Sequence, residues 1–321
     1  MRFFLGVDGG GSKCDAVLID EQGTVLGWGR SGATSYQPDH NAAAATAQAL
    51  AGALGSLAIT RVRTGFTWGG LYIVEWLSDR GIQLVSNTAT REWDNTFLAA
   101  DREWGIAVHA GTGSWVQART PDGREVHVGG MGPFLGDEGG GWDIGFRGIK
   151  AALRSGWTKH TRTTLAEAVP LALGVSSLQQ ATVGQPIVNG QVTRAQIASV
   201  APVVITHAAA GDRIAMSILN ESANSLADIC ALVLDELAII GEGYPLIGMA
   251  GVIQNSPLYW QILTAGILRY DSSLVPEVVP MKMAVAAAMQ AMRAADVQIT
   301  PQLRARILHT QDAFPAARIS T

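Results

Sequence analysis

The sequence predicts an α/β protein built of two domains of like topology. Three observations carry that prediction. At 321 residues the chain is longer than one typical domain needs. Hydrophobic residues make up 48% and charged residues 16%, enough apolar material for real cores and too much for disorder. Finally, one unit (strand, glycine turn, strand, turn, strand) occurs twice, an internal repeat on the scale of a domain.

The first copy opens with the apolar run Phe3-Phe4-Leu5-Gly6-Val7, which ends at Asp8-Gly9-Gly10-Gly11-Ser12-Lys13. The run Ala16-Val17-Leu18-Ile19 follows, then the turn Glu21-Gln22-Gly23 and the run Thr24-Val25-Leu26-Gly27-Trp28. The second copy opens with Ile106-Ala107-Val108 and the turn Gly111-Thr112-Gly113-Ser114. It continues through Trp115-Val116-Gln117-Ala118, the turn Pro121-Asp122-Gly123 and Glu125-Val126-His127-Val128. Between the copies the pattern predicts an Ala-rich helix, a strand over 62–66, a helix over 72–80, a strand over 83–85 and a segment containing Asp94. After the second copy comes the glycine-rich stretch 129–141, then a mostly helical region over about 144–238, a strand over 245–247 and the loop Gly248-Met249-Ala250-Gly251. Ser256-Pro257 reads as an N-cap followed by proline at the first helical position, opening a helix to about Tyr270. A last Ala-rich helix starts near Met281, and 311–321 reads as a loose tail. The domains are expected to be 1–104 with 281–321 returning to it, and 105–280.

Composition excludes several classes. The formal charge is -4 with no basic patch, which argues against nucleic-acid binding. Two cysteines, Cys14 and Cys230, cannot make a disulfide framework and suit a reduced, cytoplasmic compartment. Asp8 arrives too early for a signal-peptide apolar region. The Ala-rich stretches 42–57 and 284–295 are interrupted by Gln, Gly, Ser or Arg, so they read as buried helices and imply no membrane role. The six histidines show no metal-ligand spacing. A homodimer is compatible with this reading.

The glycine turns carry the chemistry. Without a Cβ, glycine lets backbone N–H groups wrap an anion. At the first turn Gly10 and Gly11 would supply that cradle, Ser12 a hydroxyl and Lys13 a positive charge, while Asp8 would hold Mg²⁺. The turn is not a Walker A loop, which needs GxxxxGK[ST] leading into a helix. Nor is it a Rossmann fingerprint, because Asp8 takes the second glycine position and a strand follows. At the second turn Gly111, Thr112, Gly113 and Ser114 offer the same backbone donors and hydroxyls. Two such hairpins would clamp the β- and γ-phosphates of one nucleotide.

These motifs, with the Gly248 to Gly251 loop, resemble the two phosphate motifs and the adenosine motif of the actin, hexokinase and heat-shock-chaperone superfamily. Gly136-Asp137-Glu138-Gly139, shortly after Gly-Thr-Gly-Ser, resembles the N-acetylglucosamine kinases within the BadF/BadG/BcrA/BcrD-type ATPase family. The resemblance implies two actin-like (ribonuclease H-like) domains with ATP in the interdomain cleft, Gly251 near the adenosine, and an amino sugar such as N-acetylglucosamine or glucosamine as the small-molecule substrate. Asp137 would hydrogen-bond sugar hydroxyls, with Gly136 and Glu138 shaping its loop. Ser35 follows Thr34 where family members often carry Asn, and Trp115 stands where an acetamido-contacting Asn can sit. The family also places a catalytic aspartate after a strand, before a helix and before the second phosphate motif. Asp94 fits that place, while alignment on Leu84-Val85-Ser86 puts Asn87 there instead, and asparagine cannot act as a base.

Two other readings compete. A dehydratase- or reductase-activating ATPase would hold an iron–sulfur cluster with paired cysteines, which Cys14 and Cys230 do not form. A non-catalytic sugar sensor would gain if Asn87 took the catalytic place; no helix-turn-helix segment precedes Phe3 to support a repressor.

Overall fold

The computed structural model describes residues 1–35, 39–179 and 183–314. The chain forms two compact units, Met1–Arg102 with Pro280–Thr321, and Glu103–Val279.

In the first unit β1 (Phe3–Gly9), β2 (Cys14–Asp20) and β3 (Val25–Ser31) form an antiparallel meander. β4 (Arg61–Phe66) and β5 (Gln83–Ala89) add in parallel on the other side of β1, giving the order β3-β2-β1-β4-β5. The second unit repeats this plan. β6 (Gly105–Ala110), β7 (Ser114–Arg119) and β8 (Glu125–Gly129) form the meander, and β9 (Pro245–Met249) and β10 (Val275–Val278) lie parallel beside β6. Read from its third strand the order is β8-β7-β6-β9-β10, the same topology. The repeat seen in the sequence is therefore a repeat of sheet architecture.

Helices join the parallel strands, as crossovers must. In the first unit α1 (Asp39–Leu54) and α2 (Gly70–Ser78) fill these connections, α3 (Glu92–Ala100) follows β5, and α12 (Met283–Arg293) returns to pack on β1 and β4. That packing explains the alanine content. A Cβ on Gly6 would lie 1.8 Å from the Ala284 carbonyl oxygen, and one on Gly65 would lie 1.9 Å from that of Ala287. Sheet glycines face helix alanines so that the backbones meet almost directly, and α12 is buried from Met283 to Met292 except for Gln290. Among the described residues no helix is long and apolar enough to cross a membrane.

In the second unit α4 (Gly141–Leu153), α5 (Leu165–Leu173), α6 (Gln185–Val188), α7 (Arg194–Ala198), α8 (Ala201–Ala209) and α9 (Arg213–Leu237) lie between β8 and β9. Cys230 sits in their core and Cys14 in that of the first unit, both buried. α10 (Gly251–Asn255) and α11 (Pro257–Ile267) follow β9, and Ser256 caps α11 by accepting from the Tyr259 N–H at 3.1 Å. A final helix, α13 (Pro301–Gln311), was not expected from the sequence, although Thr300-Pro301 carries the same start signal: the Thr300 hydroxyl accepts from the Leu303 N–H at 3.2 Å. It takes the first residue of the expected tail, and 315–321 lie outside the described residues.

Asp212 holds two helix starts together. Its carboxylate accepts from the N–H groups of Ile214 and Ala215 at the start of α9, and from the Thr164 N–H and the Thr163 and Thr164 hydroxyls before α5. Burial raises its pKa, but these donors outweigh it and hold the carboxyl down at about 2. Replacing it by alanine is expected to cost about 1–2 kcal/mol at neutral pH. Because the folded pKa lies below the ordinary 3.8, the contribution is complete above that value and fades as pH falls toward 2. Urea melts should show wild type and Asp212→Ala separated at pH 7 and converging near pH 2. A constant gap would sink the assignment.

Candidate active site

The first glycine turn joins β1 to β2. The Gly10 N–H donates to the Lys13 carbonyl at 2.9 Å, closing the turn, and the Gly10 carbonyl accepts from the N–H groups of Thr34 and Ser35 at 3.0 and 3.2 Å. Ser35 is thereby tied to the first glycine hairpin. Lys13 points back along β2: its ammonium lies 2.5 Å from Asp15, whose carboxylate also takes Arg30 at 2.6 Å and the Trp28 indole N–H at 3.1 Å. Burial raises the Asp15 carboxyl, but the two cations outweigh it and hold it below its usual range. A Lys13 contact to phosphate would exchange with this ion pair.

The carboxyl ends of β1, β4 and β5 lie side by side, with Val7 opposite Phe66 and Phe66 opposite Ala89. At that edge the Thr67 hydroxyl donates to the Asp8 carboxylate at 3.0 Å, and the Thr67 N–H to the Val7 carbonyl. The Asp8 carboxyl is pushed up to about 6, first by burial and next by the negative charge of Glu92. Two carboxylates acting on one another at a strand edge suit a hard cation. Mg²⁺ takes one or two carboxylates and fills its shell with water and phosphate oxygens. Among the described residues no cluster of three or more His, Cys, Asp or Glu could hold a metal.

The strand before α3 is longer than the sequence suggested. β5 runs to Ala89, so Asn87 lies inside the ladder opposite Thr64, whose hydroxyl bonds its side chain. α3 begins at Glu92, and Asp94 stands in its first turn. Both Asp94 oxygens accept from the Arg91 guanidinium, at 2.6 and 3.1 Å.

In the second unit the structure brings three of the motifs together. The Gly111 N–H donates to the Gly113 carbonyl at 2.9 Å. The Gly111 and Thr112 carbonyls accept from the N–H groups of Gly141 and Trp142, joining this hairpin to the start of α4. The Ser114 hydroxyl donates to the Glu138 carbonyl at 2.6 Å, and the Ser114 N–H to Asp137 at 3.4 Å. The Gly136 carbonyl accepts from the Gly130 N–H. Gly113 must be glycine for this closeness, since a Cβ there would lie 2.5 Å from the Asp137 carboxylate. Gly251 opens α10 just beyond β9, with Ala250 at φ 77° and near Gly111.

Asp137 is 4% exposed and forms an ion pair with Arg194 at the start of α7. Burial raises its carboxyl, and Arg194 opposes that rise without cancelling it. The sequence reading missed Arg194, which lies far along the chain in no motif; its one local signal is the Thr193 to Gln196 capping box that positions it. It also missed Thr67, Glu92 and His109. His109 stacks on Trp115 with ring centroids 4.9 Å apart, so Trp115 packs along the sheet beside the hairpin.

The profile of the BadF/BadG/BcrA/BcrD ATPase family matches residues 5–291. The N-acetylmuramic acid/N-acetylglucosamine kinase of Clostridium acetobutylicum is 34% identical over 155 residues, 48% of this chain and 50% of that one, so the match spans about half of that relative. The N-acetyl-D-glucosamine kinase of Dictyostelium discoideum is 23% identical over 289 residues, 83% of this chain and 90% of that one. Among solved structures, a candidate N-acetylglucosamine kinase from Chromobacterium violaceum is similar with a TM-score of 0.64 at 25% identity, over 91% of this chain and 99% of that one. A ROK family glucokinase from Streptomyces griseus shares the fold, with a TM-score of 0.56 at 15% identity, over 91% and 99%. With its repeated mixed sheets, its two glycine hairpins and the profile match along most of its length, the chain belongs to the BadF/BadG/BcrA/BcrD ATPase family, in the two-domain actin-like α/β fold.

Proposed function

We propose that the protein is an ATP-dependent kinase that transfers the γ-phosphoryl group to a hydroxyl of an amino sugar, N-acetylglucosamine or glucosamine, in the cytoplasm. One observation carries the reading furthest. The buried Asp137 loop is bonded directly to the Gly111 to Ser114 hairpin, so a hydroxyl-binding carboxylate sits beside a phosphate cradle, as positioning a sugar for phosphoryl transfer requires. The backbone donors around Gly10, Gly11 and Ser12 and around Gly111 to Ser114 hold the nucleotide phosphates, with Gly251 beside the adenosine and Ser35 toward the sugar. Asp8 holds Mg²⁺, which neutralises charge on the transferring group. The proton acceptor comes from the first turn of α3, which offers Glu92 and Asp94. Names of relatives support the substrate class. The test is an ADP-release screen with glucosamine, N-acetylglucosamine, N-acetylmuramic acid and glucose. Release stimulated by glucose alone, or by none of the four, would refute the amino-sugar reading.

Thr112 tests the nucleotide cradle. Its carbonyl is committed to α4, so the turn cannot swing away to admit a larger side chain. Thr112→Trp is expected to weaken ATP binding about ten- to a hundredfold, the loss of one or two charge-assisted hydrogen bonds of ~1.5–3 kcal/mol. Calorimetric titration with a non-hydrolysable ATP analogue measures it, and unchanged affinity would refute the cradle.

A further inference from the structure

We propose that Arg30 is a positioning residue for nucleotide binding: by gripping both oxygens of Asp15 it lets the Lys13 ammonium leave Asp15 for the nucleotide phosphates. This rests on the reading above that the first glycine hairpin holds phosphate. Three features of the first unit carry it.

The first is where the strands put these groups. Asp15 and Arg30 stand directly opposite one another in the ladder between β2 and β3, so their side chains rise from the same face of the sheet. Trp28, two positions before Arg30 on β3, lies on that face as well. The Asp15 carboxylate therefore takes donors from two directions. From β3, Arg30 Nε donates to Oδ1 at 2.6 Å, Arg30 Nη2 to Oδ2 at 2.9 Å and the Trp28 indole N–H to Oδ1 at 3.1 Å. From the hairpin, Lys13 Nζ donates to Oδ2 at 2.5 Å.

The second feature is charge. Two cations meet one carboxylate, so either could leave and the other would still neutralise it. They are not equal partners. The planar guanidinium matches a carboxylate with two parallel bonds, and the lysine ammonium is a single point charge on a flexible stem.

The third is exposure. The Asp15 side chain is 3% exposed and that of Arg30 14%, while that of Lys13 is 40% exposed. The forked pair is held inside and the lysine is the partner with room to turn. A buried carboxylate stripped of its cation is strongly unfavourable. When Lys13 turns to phosphate, Arg30 keeps Asp15 paired. Without Arg30 the same turn would leave Asp15 with neither cation, and the lysine would be detained there. The cost would fall on nucleotide affinity.

Calorimetric titration with a non-hydrolysable ATP analogue compares wild type with Arg30→Gln, Asp15→Asn, Lys13→Met and the pairs Arg30→Gln with Asp15→Asn and Arg30→Gln with Lys13→Met, each with a thermal melt. Arg30→Gln is expected to weaken binding about ten- to a hundredfold, the worth of one charge-assisted hydrogen bond. Adding Asp15→Asn should restore affinity to within about threefold of wild type, because a neutral amide does not detain the lysine. Beside Lys13→Met, Arg30→Gln should bring no further loss. A merely structural Arg30 would weaken binding with or without Lys13, and a second substitution would not recover it. Should Arg30→Gln fail to fold, Asp15→Asn decides, since it must bind the analogue at least as tightly as wild type. The proposal is overturned if Arg30→Gln binds as wild type does, if Asp15→Asn does not rescue it, if Asp15→Asn alone binds more weakly, or if Arg30→Gln costs as much beside Lys13→Met. Lys13→Met with wild-type affinity overturns the proposal and leaves the backbone cradle standing. A wild-type protein that does not bind the analogue overturns the nucleotide reading, and the proposal with it.

Discussion

Asp137→Ala is expected to abolish sugar phosphorylation and to destabilise the second unit together. The carboxylate is 4% exposed and is paired with Arg194, whose own side chain is 17% exposed. Removing one partner of a buried ion pair typically costs about 3–5 kcal/mol. The Ser114 N–H, which donates to Asp137, loses its acceptor as well. Asp137→Asn separates the two effects. The amide keeps the shape and one acceptor oxygen, so stability should fall less, while sugar hydroxyls lose a charged acceptor worth about 1.5–3 kcal/mol. That corresponds to roughly a ten- to hundredfold fall in kcat/KM for the sugar, with ATP affinity little changed. Thermal melts and sugar-saturation kinetics of the two variants measure both effects. An Asn variant with wild-type kcat/KM would remove Asp137 from the sugar site, and an Ala variant with a wild-type melt would mean that the Asp137–Arg194 pair does not stabilise the unit.

Gly65→Val should prevent the first unit from folding. Gly65 lies on β4 where α12 crosses, and a Cβ there meets the Ala287 carbonyl oxygen at 1.9 Å. A flexible side chain could yield, but this obstacle is backbone. Relieving it means lifting α12 off the sheet, and with it a helix buried from Met283 to Met292 except for Gln290. Overpacking usually costs about 1–3 kcal/mol and more where nothing can move, against a total stability of about 5–15 kcal/mol. Gly65→Ala is the milder probe and should lower the melting temperature clearly. Gly32→Ala, where no atom lies within 4 Å, is the control. Equal melts for Gly65→Ala and Gly32→Ala would show that the close approach does not matter.

The repeat, the two glycine hairpins and the Ser256-Pro257 helix start were legible because each is local. Strand alternation, turn residues and caps act over a few neighbours, and two similar runs of them reveal a duplicated sheet. The α13 start is equally local, at Thr300-Pro301. The end of β5 is not legible because Ser86-Asn87-Thr88 lacks the apolar signal of a strand: Ser86 and Thr88 are half-exposed, Asn87 is exposed, and all three are held by ladder pairing to β4. That is what made Asn87 look like the end of the strand.

By itself the sequence determined where the two glycine hairpins lie and which loop carries Asp137, since glycine's freedom and a hydroxyl's reach are properties of the residue. Only the tertiary structure decided which charges meet. Lys13 turns to Asp15, Arg194 arrives at Asp137 from 57 positions away, Asp94 is taken by Arg91, and Glu92 acts on Asp8 across the end of a sheet. Pairing of this kind depends on strand register and helix phase, which many residues set jointly and no short motif records.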